Sequence, residues 1–203
     1  MRSRAAASIF SREGFREVYS MEGGINAWRG LVAKGAPDAG MAYFEPAKKT
    51  EELIALAWLL EEGSRKFYAE MTIREKDQEA AGLFNDLVAD EEGHKTSLSR
   101  LHQTLSGQNS DPAFPRSLID IEPGVEYLEG GMLLREALEW VGGKEVREIL
   151  DLSISLEVNA VDLYIKMERK VKEKEARQVF QALSNQERNH LKRLSGLLEK
   201  RRE

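Results

Sequence analysis

From Thr50 onward, apolar residues recur three and four places apart and charged residues fill the positions between them. That period belongs to helices with one buried face. It predicts four long helices. The first runs from Thr50 to Lys76 on a stripe of Leu53, Ala57, Leu60, Ser64, Tyr68 and Met71, and the second from Gln78 to Leu105 with Leu83, Leu87, Leu98 and Leu101 on one face. The third spans Lys144 to Lys172 and the fourth Glu175 to Lys200. Short loops join the first to the second and the third to the fourth, so each pair is expected to form an antiparallel hairpin. Between the hairpins, Ser106 to Pro123 carries three prolines with Gly, Asn, Ser and Asp, and reads as a long connection. A shorter helix from Met132 to Val141 follows, and Gly142-Gly143 ends it. A connection of that length lets the second hairpin pack beside the first, as in four-helix bundles with one long crossover.

The start of the chain has a different texture. Residues 1–38 read as a short α-β-α segment: Ala5 to Glu13 is helical, Phe15 to Ser20 alternates, Gly23-Gly24 turns, and Ile25 to Lys34 is helical again. Residues 39–48 form a linker, preceded by the breaker-rich run from Gly35 to Gly40. The bundle then occupies residues 49–203.

Some residues inside the apolar stripes are not apolar. Glu61, Tyr68, Glu91 and His94 lie on buried faces, and each recurs 96 positions later as Glu157, Tyr164, Glu187 and His190. Phe84, Leu87, Leu98 and Leu101 match Phe180, Leu183, Leu194 and Leu197 at the same offset. A duplicated scaffold accounts for this, and what it duplicates is a set of metal-ligand side chains. Glu91 and His94 are three apart and share a helix face. Glu61 precedes Glu91 by 30 residues, as Glu157 precedes Glu187, so an antiparallel hairpin returns the second Glu to the height of the first. Four carboxylates and two imidazoles then converge on one centre.

Charge separates ligand from bystander. An unpaired carboxylate buried in a bundle costs several kcal/mol, and four facing one another would drive protonation. Two divalent cations bring four positive charges against four negative ones, and the histidines bind neutral. Oxygen donors with two imidazoles suit two iron ions, with manganese or zinc as alternatives. Tyr68 and Tyr164 lie two turns beyond their Glu on the same stripe. A buried phenol needs a partner, and a ligating carboxylate oxygen would serve, which makes these two the candidate catalytic side chains. Asp90 and Gln186 are candidates to hold the histidine rings.

Other residues receive plainer readings. Glu62 and Glu92 fall off the stripe and are expected in solvent. His102, whose counterpart is Leu198, is expected to be exposed, and Trp58 and Trp140 to pack. Glu52 and Glu148 match at the offset but sit far up their helices at the surface. Lys192, Arg193, Lys200, Arg201 and Arg202 favour the negative end of the last helix dipole.

Composition narrows the field. Of 203 residues, 32% are charged and 41% hydrophobic, which suits a helix-rich globular chain. A net charge of −5 gives no support to nucleic-acid binding. The absence of Cys removes disulfides, thiolate metal sites and a cysteine nucleophile. No apolar run approaches the roughly 20 residues of a membrane span, and the short apolar stretch after the basic start does not make a signal peptide. A cytoplasmic protein, without nucleic-acid or membrane partners, is expected.

LLEEGSRKFY and SLEVNAVDLY, with DEEGH and QERNH, resemble the four helices of the rubrerythrin-like branch of the ferritin-like superfamily, over residues 46–203. The resemblance implies a mainly α, ferritin-like four-helix bundle around a non-haem di-iron centre. Its ligands would be Glu61, Glu91, His94, Glu157, Glu187 and His190, and its activity the reduction of hydrogen peroxide or dioxygen. Non-catalytic iron storage, or a structural adaptor to a sulfurtransferase domain, are the alternatives. Full-length rubrerythrins carry a four-cysteine rubredoxin domain that feeds the irons. This chain has no Cys, so an external electron donor such as a separate rubredoxin is implied. That family also has a further Glu one turn after the third-helix ligand, where this chain has Ala160. Residues 1–38, through RSRAAASIFSREGFREVYSMEGGINAWRGL, resemble the last third of a rhodanese-like domain. The chain begins just after the place of that family's nucleophilic Cys, so sulfurtransferase activity is not expected. Phe15, Val18, Met21 and Trp28 cannot bury themselves in so short a segment. A homodimer is expected, with the N-terminal segments packing on a neighbouring subunit or exchanging with its equivalent.

Overall fold

The computed structural model describes residues 49–107, 111–119 and 124–201. The predicted N-terminal segment, its linker and its exchange between subunits lie outside the described residues. Among those described, the protein is a mainly α, ferritin-like bundle. It is built from α1 (Thr50–Arg74), α2 (Gln78–Ser106), the short α3 (Leu134–Trp140), α4 (Val146–Lys170) and α5 (Lys174–Lys200). Every helix end falls within two residues of the position that the apolar period predicts.

Local chemistry sets those ends. Asp77 caps α2, its Oδ1 accepting from the N–H groups of Glu79 and Ala80 at 3.0 Å each. This satisfies donors that a helix start otherwise leaves unpaired. The repeated Glu52 and Glu148 prove to be capping residues. Glu52 Oε2 accepts from Lys49 N–H at 3.2 Å, and Glu148 Oε2 from Glu145 N–H at 3.3 Å, at equivalent starts of α1 and α4. Gly107, at φ 69°, closes α2 in the left-handed conformation.

Side-chain bonds between the hairpins fix their registry. Thr50 at the start of α1 donates to Glu173 in the α4–α5 turn at 2.7 Å. At the other end, Arg201 pairs with Asp77 at 2.7 Å and Glu79 at 2.9 Å, and Lys200 with Glu79 at 2.5 Å. Arg193 pairs with Asp86 at 2.6 Å and Asp90 at 2.9 Å on α2. The basic residues late in α5 thus do more than favour the helix dipole, since they tie α5 to the beginning of α2.

The core has two apolar layers. One gathers Leu53, Leu56, Leu60, Leu98, Leu101, Leu163, Met167, Phe180 and Leu183. The other gathers Phe67, Met71, Phe84, Leu87, Leu150, Leu156, Leu194 and Leu197. Along each long helix, the chain leaves one layer and enters the other across a buried polar step. Glu61 and Ser64 make that step on α1, Glu91 and His94 on α2, Glu157 on α4, and Ser184, Glu187 and His190 on α5. A polar slab therefore crosses the middle of the bundle, with hydrocarbon on both sides.

The crossover connection docks on this slab. Leu128 N–H donates to Met132 carbonyl at 2.8 Å and Gly131 N–H to Leu128 carbonyl at 2.9 Å, forming a tight turn. Gly130 and Gly131 take φ values of 92° and 80°, where a side chain would be strained. The turn sits so close to α1 that a Cβ on Gly63 would collide with the Tyr127 carbonyl.

Candidate metal centre

All six predicted ligands are buried in the polar slab, none more than 3% exposed. Their donor atoms fall into two overlapping groups. Glu61, Glu91, His94 and Glu187 form one, and Glu91, Glu157, Glu187 and His190 the other, with the ligand atoms of each group within 4.8 Å of one another. Glu91 and Glu187 belong to both, while each terminal pair, Glu61 with His94 and Glu157 with His190, belongs to one. The imidazoles face each other across the centre, with ring centroids 5.5 Å apart and planes 19° from parallel.

Hydrogen bonding cannot satisfy this arrangement. His94 Nδ1 lies 3.1 Å from Glu61 Oε2, 2.9 Å from Glu91 Oε2 and 3.0 Å from Glu187 Oε1. His190 Nδ1 lies 2.9 Å from Glu187 Oε2, 3.3 Å from Glu157 Oε2 and 3.6 Å from Glu91 Oε1. A ring nitrogen carries at most one N–H, so each faces more acceptors than it can serve. Glu91 Oε2 and Glu187 Oε1 are left buried with no hydrogen-bond donor. A cation at each focus would take the nitrogen lone pair and the surrounding oxygens together. The donor set of carboxylate oxygen and imidazole nitrogen fits iron, manganese or zinc.

Protonation expresses the same crowding. Burial, then the charges of Glu61 and Glu187, push the Glu91 carboxyl well above the ordinary range. Burial, then Glu187, pushes Glu157 up to about 8. Burial alone would lower both imidazoles, but the facing carboxylates outweigh it, holding His190 up to about 10 and raising His94 too. Burial would raise Glu187 as well, yet the two imidazoles beside it bring it below its usual value.

The two tyrosines bond across the bundle. Tyr68 Oη donates to Glu157 Oε1, and Tyr164 Oη donates to Glu61 Oε1, so each hairpin's phenol holds the other hairpin's terminal carboxylate. Tyr68 stacks on Phe84 at 5.9 Å and Tyr164 on Phe180 at 6.1 Å, both at 14°. Burial first, then the bonded carboxylate, raises both phenols well above their ordinary value and keeps the proton on Oη. Asp90 also acts across the bundle: its Oδ2 lies 3.3 Å from His190 Nε2 of the opposite hairpin and accepts from Arg193.

Three sequence readings need correction. His102 is 5% exposed rather than in solvent, because Phe114 of the crossover stacks on it at 4.3 Å. Glu62 is half-buried. It accepts from Arg65 at 2.9 Å and lies 2.7 Å from Lys95 Nζ, and although burial raises its carboxyl, these cations prevail and bring it to about 2. Lys95 in turn lies over the Trp58 ring at 4.7 Å, so Trp58 packs as expected but also meets a cation. The third correction is an omission, Glu129. It is 4% exposed, accepts from the Ser64 hydroxyl, and belongs to the crossover turn rather than to any long helix.

Residues 148–203 match the Rubrerythrin family model, which supports a ferritin-like di-iron family. A solved structure of a hypothetical protein from Pyrococcus furiosus is similar at 26% identity and a TM-score of 0.55, over 81% of this chain and 95% of that one. No curated protein matches the chain. Neither similarity carries a rhodanese-like assignment for the N-terminal segment. No helix among the described residues is long and apolar enough to cross a membrane.

Proposed function

We propose that this protein holds two iron ions between its hairpins and reduces hydrogen peroxide or dioxygen there. The observation that carries the reading is the pair of imidazole nitrogens, each facing three carboxylate oxygens, with two of those oxygens lacking any hydrogen-bond donor. Glu91 and Glu187 would bridge, while Glu61 with His94 and Glu157 with His190 would cap one ion each. Bound there, an iron pair supplies electrons to an oxygen–oxygen bond. The protein's own part is to keep that chemistry dry and oriented. Apolar layers close the slab on both sides. Tyr68 and Tyr164 fix the outer oxygens of Glu157 and Glu61 and retain their protons on Oη. Asp90 holds His190 through Nε2. Electrons would come from a carrier such as a rubredoxin.

Metal analysis of protein purified without chelator, followed by anaerobic addition of peroxide to the ferrous form, tests this. About two metals per chain, rapid oxidation and repeated turnover with an added reductant are expected. A single oxidation with many irons retained would point to storage, and less than about one metal per chain would refute the centre.

A further inference from the structure

Four carboxylates balance two divalent cations, but the polar slab contains a fifth. Glu129 reaches the slab from the crossover turn, and three features hold it there. Ser64, one helical turn beyond Glu61, donates to its Oε2. Asn159, two residues beyond Glu157, donates from Nδ2 to its backbone carbonyl at 3.3 Å. Gly63 and Gly130 leave no room for a Cβ, so the turn seats directly between α1 and α4, where a Cβ on Gly130 would strike Asn159. Burying a carboxylate with a single neutral donor is costly, and a salt-bridge partner for Glu129 is not among the ion pairs of the described residues. After burial, the charges acting most strongly on Glu129 are those of Glu61, Glu157 and Glu187, and it acts in turn on both tyrosines. Its bond to Ser64, one turn from Glu61, and its 4% exposure place it beside the candidate centre rather than at the surface.

Its placement breaks the twofold repeat. The position 96 residues after Ser64 is Ala160, which has no hydroxyl, and the position after Gly63 is Asn159. A single extra carboxylate thus approaches the metal pair from one side. Two divalent cations leave it in surplus, whereas a pair carrying more positive charge needs it.

We propose that Glu129 is a reserve carboxylate of the metal centre, parked on Ser64 and drawn onto the pair as its positive charge rises. This rests on the two-iron reading above. The carboxylate would favour the oxidised centre, and Ser64 would oppose that by holding it back.

The test compares midpoint potentials of the iron-loaded parent, Glu129→Gln and Ser64→Ala by spectroelectrochemical titration, with iron per chain measured on each sample. Glu129→Gln should keep two irons and disfavour the oxidised state about tenfold per electron, an upward shift of about 59 mV. Ser64→Ala should shift the potential the opposite way. Merely structural roles would not produce opposite signs. Two irons bound with unchanged potentials would overturn the role of Glu129 while leaving the centre intact, whereas a parent that binds no iron pair would overturn the centre itself. If Glu129→Gln does not fold, a crystal structure of the oxidised parent decides: Glu129 coordinated to iron supports the inference, and Glu129 still on Ser64 overturns it.

Discussion

The two hairpins follow the same path and differ where the rest of the chain touches them. Both begin with a Glu that bonds back to the first backbone N–H, both place Glu, Tyr, Glu and His on the buried stripe, and both stack the Tyr on a Phe. Yet α1 carries Gly63-Ser64 where α4 carries Asn159-Ala160, and of Asp77 and Glu173, the N-caps of α2 and α5, only Asp77 bonds its own helix through its side chain. The family model matches residues 148–203, which lie in the second hairpin alone, although the first places the same ligand types at the same spacing. The buried carboxylates, imidazoles and phenols follow the repeat, whereas adaptation to the crossover and to the neighbouring hairpin follows the differences.

Four sets of substitutions sharpen that division. The largest effect is expected at the shared carboxylates. Glu91→Gln or Glu187→Gln should empty both metal positions, while Glu61→Gln or Glu157→Gln should each empty one, by elemental analysis. Equal losses from all four would break the distinction between bridging and terminal groups. Next come the phenols. Tyr68→Phe and Tyr164→Phe each strip a donor from a buried carboxylate and should each cost about 1–3 kcal/mol in denaturant unfolding. A clear inequality between them would break the twofold equivalence.

A smaller, one-sided effect is expected at the caps. Asp77→Ala should cost about 1 kcal/mol, and Glu173→Ala less, since Glu173 does not cap α5 through its side chain. The Arg201 guanidinium, aided by the first N–H groups of α2, holds the Asp77 carboxyl at about 2 against an ordinary 3.8. The folded value is depressed, so this stabilisation is complete above the ordinary value and disappears as pH falls through about 2. Unfolding midpoints of parent and Asp77→Ala should converge across that acid window, and parallel curves would contradict the pairing. Smallest is His102→Leu, which places at 102 the residue found at 198. The buried ring nitrogens of His102 make no hydrogen bond, and Nε2 meets Asp111 Oδ2 only at 3.7 Å, so stability should change by less than about 1 kcal/mol. Metal content should stay constant, and its loss would bring His102 into the site.

Periodicity made the long helices legible, because a buried stripe must recur every turn. The buried carboxylates and imidazoles were legible for a stronger reason: costly residues in a buried stripe, repeated at one offset, demand a common cause. Glu129 was not, since it sits in a connection with no period, and only the docking of that connection on α1 buries it. Gly63-Ser64, two small residues within an apolar stripe, was the available sign that something packs there. His102 failed similarly, as the ring that covers it arrives from Phe114 in the same connection. The role of Arg193, Lys200 and Arg201 as inter-hairpin anchors also depended on which helix start they would meet.

The exchange of phenols between hairpins has a consequence for assembly. Neither half of the bundle contains a finished half-centre, because each outer acid is tethered by its neighbour's aromatic hydroxyl. Docking of the halves and closure of the carboxylate–imidazole cluster are therefore one event.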